Sequence, residues 1–192
     1  MYSRAMETRK RLLAATRELL WERGYAATSP KVIQAAASAG QGSMYHHFHG
    51  KEDLAVAALE ESAEALRHDA QAVLSGPGTA LERLEGYLRR QRESLRGCRM
   101  GRMTYDADVL ASPALMAPVT RTMDWLVETL AGVVRQGVEN GELREDIDPE
   151  ALACTVAAVV QGGYVLARAH GDTSPFDAAV DGAVALLERA AA

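Results

Sequence analysis

Between Gln41 and Lys51 the chain runs Gln41-Gly42-Ser43-Met44-Tyr45-His46-His47-Phe48-His49-Gly50-Lys51. These residue types suit contact with a phosphate backbone. Ser43, Tyr45 and His47 can each donate a hydrogen bond to a phosphate oxygen, which sets register without reading sequence. Gly42 lets the backbone approach closely, because it carries no side chain to intervene. Lys51 adds a charge whose contribution weakens as salt rises. Gln41 and Met44 are the residues expected at base edges, since Gln pairs with adenine and Met packs on a thymine methyl. The three clustered histidines do not form a metal set. Neighbours on a helix diverge by about 100°, and no matching cysteines or carboxylates accompany them. No cofactor is expected.

Charge supports the same division of labour. Residues 1–54 hold eight Lys/Arg against five acids, a net +3, and the remainder holds 13 against 21, a net −8. A basic head on an acidic body fits a nucleic-acid-reading segment joined to something else. Apolar residues make up 48 % of the chain but aromatics only 5 %, which favours packed helices over strands and excludes disorder. Cys98 and Cys154 are too far apart for a redox or metal motif, so a reduced cytoplasmic setting is expected. Cys154 should pack inside its helix. The uncharged run from Ala151 to Ala167 is at the short limit for a membrane span and contains Gln161, Gly162 and Gly163. It reads as a buried or interfacial helix, with no membrane partner. No phosphate loop, dinucleotide fingerprint or nucleophile elbow occurs, so no catalytic residues are assigned.

The elements that must hold these residues are helical throughout, and the expected fold class is all-α with about nine helices. Leu12, Thr16, Leu19 and Leu20 form the inner stripe of a first helix over about 5–23, ended by Gly24. Thr28-Ser29-Pro30 starts a short second helix. A turn through Ser38-Ala39-Gly40 leads to a third over about 41–48, a helix-turn-helix arrangement. Acids after Gly50 open a long fourth helix, which Ser75-Gly76-Pro77-Gly78 breaks. Leu81, Leu84, Leu88, Gln91 and Leu95 mark a fifth that Gly97 ends. A short sixth is expected around 102–110. Three more follow, opened by Ser112-Pro113, by Asp148-Pro149 and after Gly171. The expected domains are residues 1–54 for DNA binding and 55–192 for ligand binding and dimerisation.

The N-terminal segment resembles the tetracycline-repressor (TetR/AcrR) family of bacterial transcription regulators. The resemblance rests on Thr8-Arg9, Leu12-Leu13, Gly24-Tyr25, Thr28-Ser29, Ile33, the Gly42-to-Phe48 run, and Lys51-Glu52-Asp53-Leu54. It covers residues 8–54. The turn departs from the family's pattern, which has Gly at the position of Ser38, Val at Ala39 and Ser at Gly40. Ser38 tolerates a left-handed backbone less well than Gly, by about 1 kcal/mol. With Gln41 it offers an alternative capping box. Thr28, Ser29 and His46 complete the expected DNA-facing set.

The resemblance implies a C-terminal body whose helices enclose a ligand cavity and whose last two form a dimeric four-helix bundle. Met100, Met103, Tyr105, Met123, Trp125, Gln161 and Tyr164 suit a mostly apolar pocket with a few polar groups. Gly162 and Gly163 with Val159 would allow close helix approach at a two-fold axis, matched by Val180, Val184 and Leu187. The implied function is a ligand-responsive regulator, most often a repressor. It would bind an inverted-repeat operator in double-stranded DNA as a homodimer and be released by a small-molecule effector. A ligand-independent architectural DNA binder and a helical enzyme are the alternatives.

Overall fold

A computed structural model describes residues 2–192, apart from the side chains of residues 2–5 and of Gln41. Ten helices and no strand occur among the described residues, which makes the fold all-α. They are α1 (Tyr2–Arg23), α2 (Pro30–Ala36), α3 (Gln41–His47), α4 (Lys51–Leu74) and α5 (Ala80–Arg89). Then follow α6 (Arg99–Met103), α7 (Ala107–Ala111), α8 (Pro113–Glu139), α9 (Pro149–His170) and α10 (Ser174–Glu188). The chain divides into two compact units, residues 1–65 with 99–121, and residues 66–98 with 122–192.

In the first unit, Leu12, Thr16, Leu19 and Leu20 of α1 are buried with Ile33, Met44, Phe48 and Leu54. Ser29 caps α2 by accepting from Val32 N–H at 3.3 Å, with Pro30 in the first turn. The helix ends in a Schellman arrangement. Ser38 N–H donates to the Ala35 carbonyl at 3.2 Å, and Ala39 N–H to that of Gln34 at 2.9 Å. Ser38 therefore sits at φ +48, the one non-glycine residue with positive φ among those described. Gly40, not Ser38, occupies the N-cap of α3, because Ser38 is already committed to closing α2. The Gln41 side chain that the alternative capping box needs lies outside the described residues.

The single short helix expected near 102–110 is two, α6 and α7, and both belong with the N-terminal helices. Arg99 donates to Glu18 at 2.7 Å and lies 3.7 Å over the Trp21 ring. Arg102 donates to the Glu22 carbonyl at 3.0 Å. Asp106 accepts from Ala26 N–H at 2.9 Å with one oxygen, and with the other caps α7 through Asp108 and Val109 N–H. Gly24, at φ +82, leaves room for that carboxylate, since a Cβ there would lie 2.8 Å from it.

The second unit is built on a core that includes Leu84, Leu88, Leu130, Val134, Val156 and Phe176. Thr79 and Glu82 form a reciprocal capping box on α5. Asp148 caps α9, and Gly171 in the left-handed region ends it. Helix α5 stops at Arg89, short of the expected Leu95, which is 45 % exposed. The reason is a side chain. Arg92 turns back and donates to the carbonyls of Leu88 and Arg90 at 2.8 Å each, and to that of Tyr87, taking the place of the next helical turn.

Since Ser38 pays the left-handed penalty, Ser38→Gly should stabilise the protein by about 1 kcal/mol. Chemical denaturation measures it, and an unchanged or lower midpoint would count against this turn geometry.

Candidate DNA-binding interface

Helix α3 presents three kinds of surface. Gly42, Tyr45 and His46 are exposed, with Tyr45 at 54 %, and Ser43 and His47 are partly so. The His46 and His47 rings meet edge-on at 5.0 Å, and His47 in turn meets Phe48. Phe48 is buried and carries the Arg9 guanidinium 5.4 Å from its ring. Nothing lies within 4 Å of a Cβ built on Gly42, so the fold itself does not demand glycine there. Ser29 is exposed at the start of α2, on a helix terminus that its own hydroxyl caps.

Lys51 opens α4 with its Nζ 3.7 Å over the Tyr25 ring. Partial burial lowers the Lys51 pKa, while Asp108 and Asp106 push it back up. The same surroundings raise the Tyr25 pKa, first by burial and then through Glu52, Asp108 and Asp106. The ring holds the ammonium close to the α3–α4 junction, where residues 48–50 leave the helix. His49 N–H donates to Asp53 at 3.0 Å and fixes that junction.

Two residues expected on the DNA side are inside. Met44 is completely buried and its sulfur faces Gln34 Nε2 at 3.6 Å, so it joins α3 to α2 rather than reaching a base edge. The period of α3 explains this. With Met44 and Phe48 four residues apart, both fall on the inner face. Thr28 is also fully buried, its hydroxyl donating to the Gly24 carbonyl at 2.6 Å. The Gln41 side chain, the other expected base reader, lies outside the described residues.

The expected ligand-lining residues divide between the two units. Met100 and Met103 are fully buried in the first unit and Tyr105 is 79 % exposed. Met123, Trp125, Gln161 and Tyr164 belong to the second unit, each partly buried. Tyr164 packs on Phe176 with ring centroids 5.2 Å apart, and burial pushes its phenol up to about 12. A cleft of about 500 Å³ in this unit is lined by none of the seven. Its walls are residues 88–92 and Ser94 on one side, and Thr173, Phe176, Asp177, Val180 and Asp181 on the other. The available signal was Arg89-Arg90-Gln91-Arg92, a basic run within an otherwise acidic body.

The expected dimer residues also need revision. Val180, Val184 and Leu187 are each at most 5 % exposed within the unit's own core. Gly163 is buried under Phe176, whose ring would lie 2.7 Å from an added Cβ. Gly162 is exposed and Val159 partly so. Cys154, expected to pack inside, is exposed on the same helix.

A buried helix-turn-helix framework with a polar α3 face is the construction of a DNA-binding head. Comparison with known proteins gives the same class. Residues 12–58 match the family described as bacterial regulatory proteins, tetR family, and residues 79–183 match the tetracyclin repressor-like C-terminal domain. The chain belongs to the TetR family. It is 27 % identical over 172 residues to the HTH-type transcriptional repressor DhaR of Mycobacterium sp. (strain GP1), covering 88 % of this chain and 86 % of that one. Identity reaches 32 % over 149 residues with the transcriptional regulator AcuR of Cereibacter sphaeroides, covering 74 % and 68 %. A TetR transcriptional regulator from Chloroflexus aurantiacus J-10-FL superposes with a TM-score of 0.88 at 27 % identity, over 98 % of both chains. The protein is a DNA-binding transcriptional regulator and not an enzyme.

If Met44 is a core residue, Met44→Ala costs about 3 kcal/mol in thermal or denaturant unfolding. A loss below about 0.5 kcal/mol, as for a surface position, would restore it to the outer face.

Proposed function

We propose that the protein is a ligand-responsive repressor that binds an inverted-repeat operator as a homodimer and leaves it when a small molecule occupies the C-terminal body. The polar outer face of α3 is the observation that carries the DNA contact. Ser43, Tyr45 and His47 donate to phosphates, and Lys51, steered by Tyr25, adds charge beside them. Gly42 has open space around its Cβ position in the free protein, which leaves the DNA as the reason for glycine. Ser29 and His46 lie within reach of the same backbone, and Gln41 is the remaining candidate for a base edge. DNA-bearing cytoplasm is the working compartment.

Dimerisation is supported by the outer face of α9 and α10. Val165, Leu166 and Leu186 are 51 %, 47 % and 64 % exposed, and Gly162 and Ala158 lie open beside them. Helix α9 is long and apolar enough to cross a membrane, with only a third of its apolar window buried. A second copy of this face covers that surface and places the exposed Thr155 and partly buried Gln161 of α9 in a protein environment. Two α3 helices held about 34–36 Å apart would then enter successive major grooves. Effector binding acts by favouring a dimer geometry that does not match this spacing, which requires different affinity for the two states. Helices α4 and α8 run from one unit into the other and are the covalent route for that change.

Replacing Tyr45 and His47 together by Ala should weaken binding to the protein's own upstream DNA by about 100-fold, from two lost phosphate contacts. The melting temperature should stay unchanged. Retained affinity in fluorescence anisotropy, or equal affinity of the parent protein for random DNA, would remove the proposed contacts or the operator. Separately, Leu166→Glu should convert a dimer into a folded monomer by analytical ultracentrifugation. A dimer that persists would move the interface elsewhere.

A further inference from the structure

Arg92 is largely buried, and among the described residues its hydrogen bonds all go to backbone carbonyls at the end of α5. Its guanidinium lies 5.0 Å from the Tyr87 ring centroid and 6.0 Å from that of Phe176. No carboxylate among the described residues pairs with it, and burial lowers its pKa from the usual arginine value. Arg90, with a side chain 20 % exposed, has Asp69 at 3.7 Å as its one carboxylate partner among the described residues, and that carboxylate is 63 % exposed. The Nε atoms of both arginines are buried without a hydrogen-bond partner. Arg89 differs, because Glu85 and Asp181 each approach it to 2.7 Å.

Buried positive charge without a hydrogen-bonded counter-ion is costly, and proteins ordinarily pair it. Here both under-compensated arginines are among the residues that line the cleft of about 500 Å³, together with Phe176 and Val180. Three arginines against Asp177 and Asp181 leave that lining with one net positive charge. The balance suits a monoanion. A phosphate dianion would set its second charge against Asp177, and a neutral molecule would leave Arg90 and Arg92 as they are. A planar carboxylate also matches the guanidinium fork better than a tetrahedral anion of the same charge.

We propose that this cleft binds a small monocarboxylate, with the carboxylate against Arg90 and Arg92 and an aromatic or aliphatic body against Phe176 and Val180. The proposal rests on the ligand-responsive reading above and names the chemical class of the effector. It also explains why α5 ends early. The residues released from the helix are those that bring the arginines to the cleft.

The test uses the full-length protein with benzoate and hexanoate as carboxylate probes and benzamide as the uncharged control. Saturating benzoate or hexanoate should raise the melting temperature by about 3 °C. Benzamide should not. Arg90→Gln, which removes the Asp69 ion pair and the charge over the Tyr87 ring, should abolish the shift measured against its own unliganded melting temperature. Arg92→Lys should reduce the affinity by about tenfold, from loss of the fork geometry. The site is overturned if neither carboxylate shifts the protein, if benzamide shifts it equally, or if the shift survives in Arg90→Gln. Anisotropy on the upstream DNA separates this from the regulatory reading. Carboxylate binding that leaves DNA affinity unchanged keeps the site and overturns its role as effector site. DNA release by an uncharged compound that is undisturbed in Arg90→Gln keeps a ligand-responsive regulator and overturns this cleft.

Discussion

The Asp106 carboxylate makes two attachments that the DNA-binding head depends on. One oxygen holds the Ala26 N–H at the turn after α1, and the other caps α7. Arg99 and Arg102 repeat the attachment one and two turns along α1, at Glu18, Trp21 and the Glu22 carbonyl. A short helix-turn-helix buries too little apolar surface to be rigid alone. Here the 99–121 segment returns to it and fixes the end of the helix that precedes the motif. Gly24 serves the same joint. Its positive φ turns the chain out of α1, and its missing Cβ leaves space for the Asp106 oxygen.

Two arginine-rich stretches show how the same side chain does opposite things. Arg99 finds a carboxylate and an aromatic face, Arg102 finds a carbonyl, and both side chains join helices. Arg92 spends its donors on the last carbonyls of α5, where the helix dipole also favours a cation. That arrangement supplies no full negative charge, and it leaves the Arg92 Nε without a partner. A carboxylate partner for Arg99 and backbone carbonyls alone for Arg92 are what separate the two.

The helix boundaries were legible because their signals are local. Thr28-Ser29-Pro30 and Asp148-Pro149 begin helices at the residues that cap them, and Gly24 and Gly171 end helices where a left-handed residue is required. The inner stripe of α1 was legible for the same reason, since a 3.6-residue period needs no partner to be read. Met44 was misplaced because its immediate neighbours are polar and its chemistry suits a base edge. The four-residue spacing to Phe48 marks a shared face, and the contact with Gln34 of α2 shows that this face turns inward. Val180, Val184 and Leu187 were expected at a subunit interface for a similar reason. An apolar stripe announces that it will be covered without saying by what.

Length, composition, capping residues and the motif from Gly42 to Leu54 were enough to determine an all-α chain with a helix-turn-helix head, because each is a property of a few consecutive residues. Tertiary structure decided what depends on residues far apart in sequence. It brought Asp106 to Ala26 across 80 residues, stopped α5 at Arg89, and placed Phe176 beside Arg92. Burial and charge compensation are sums over everything nearby. No local pattern can state them until the chain has folded.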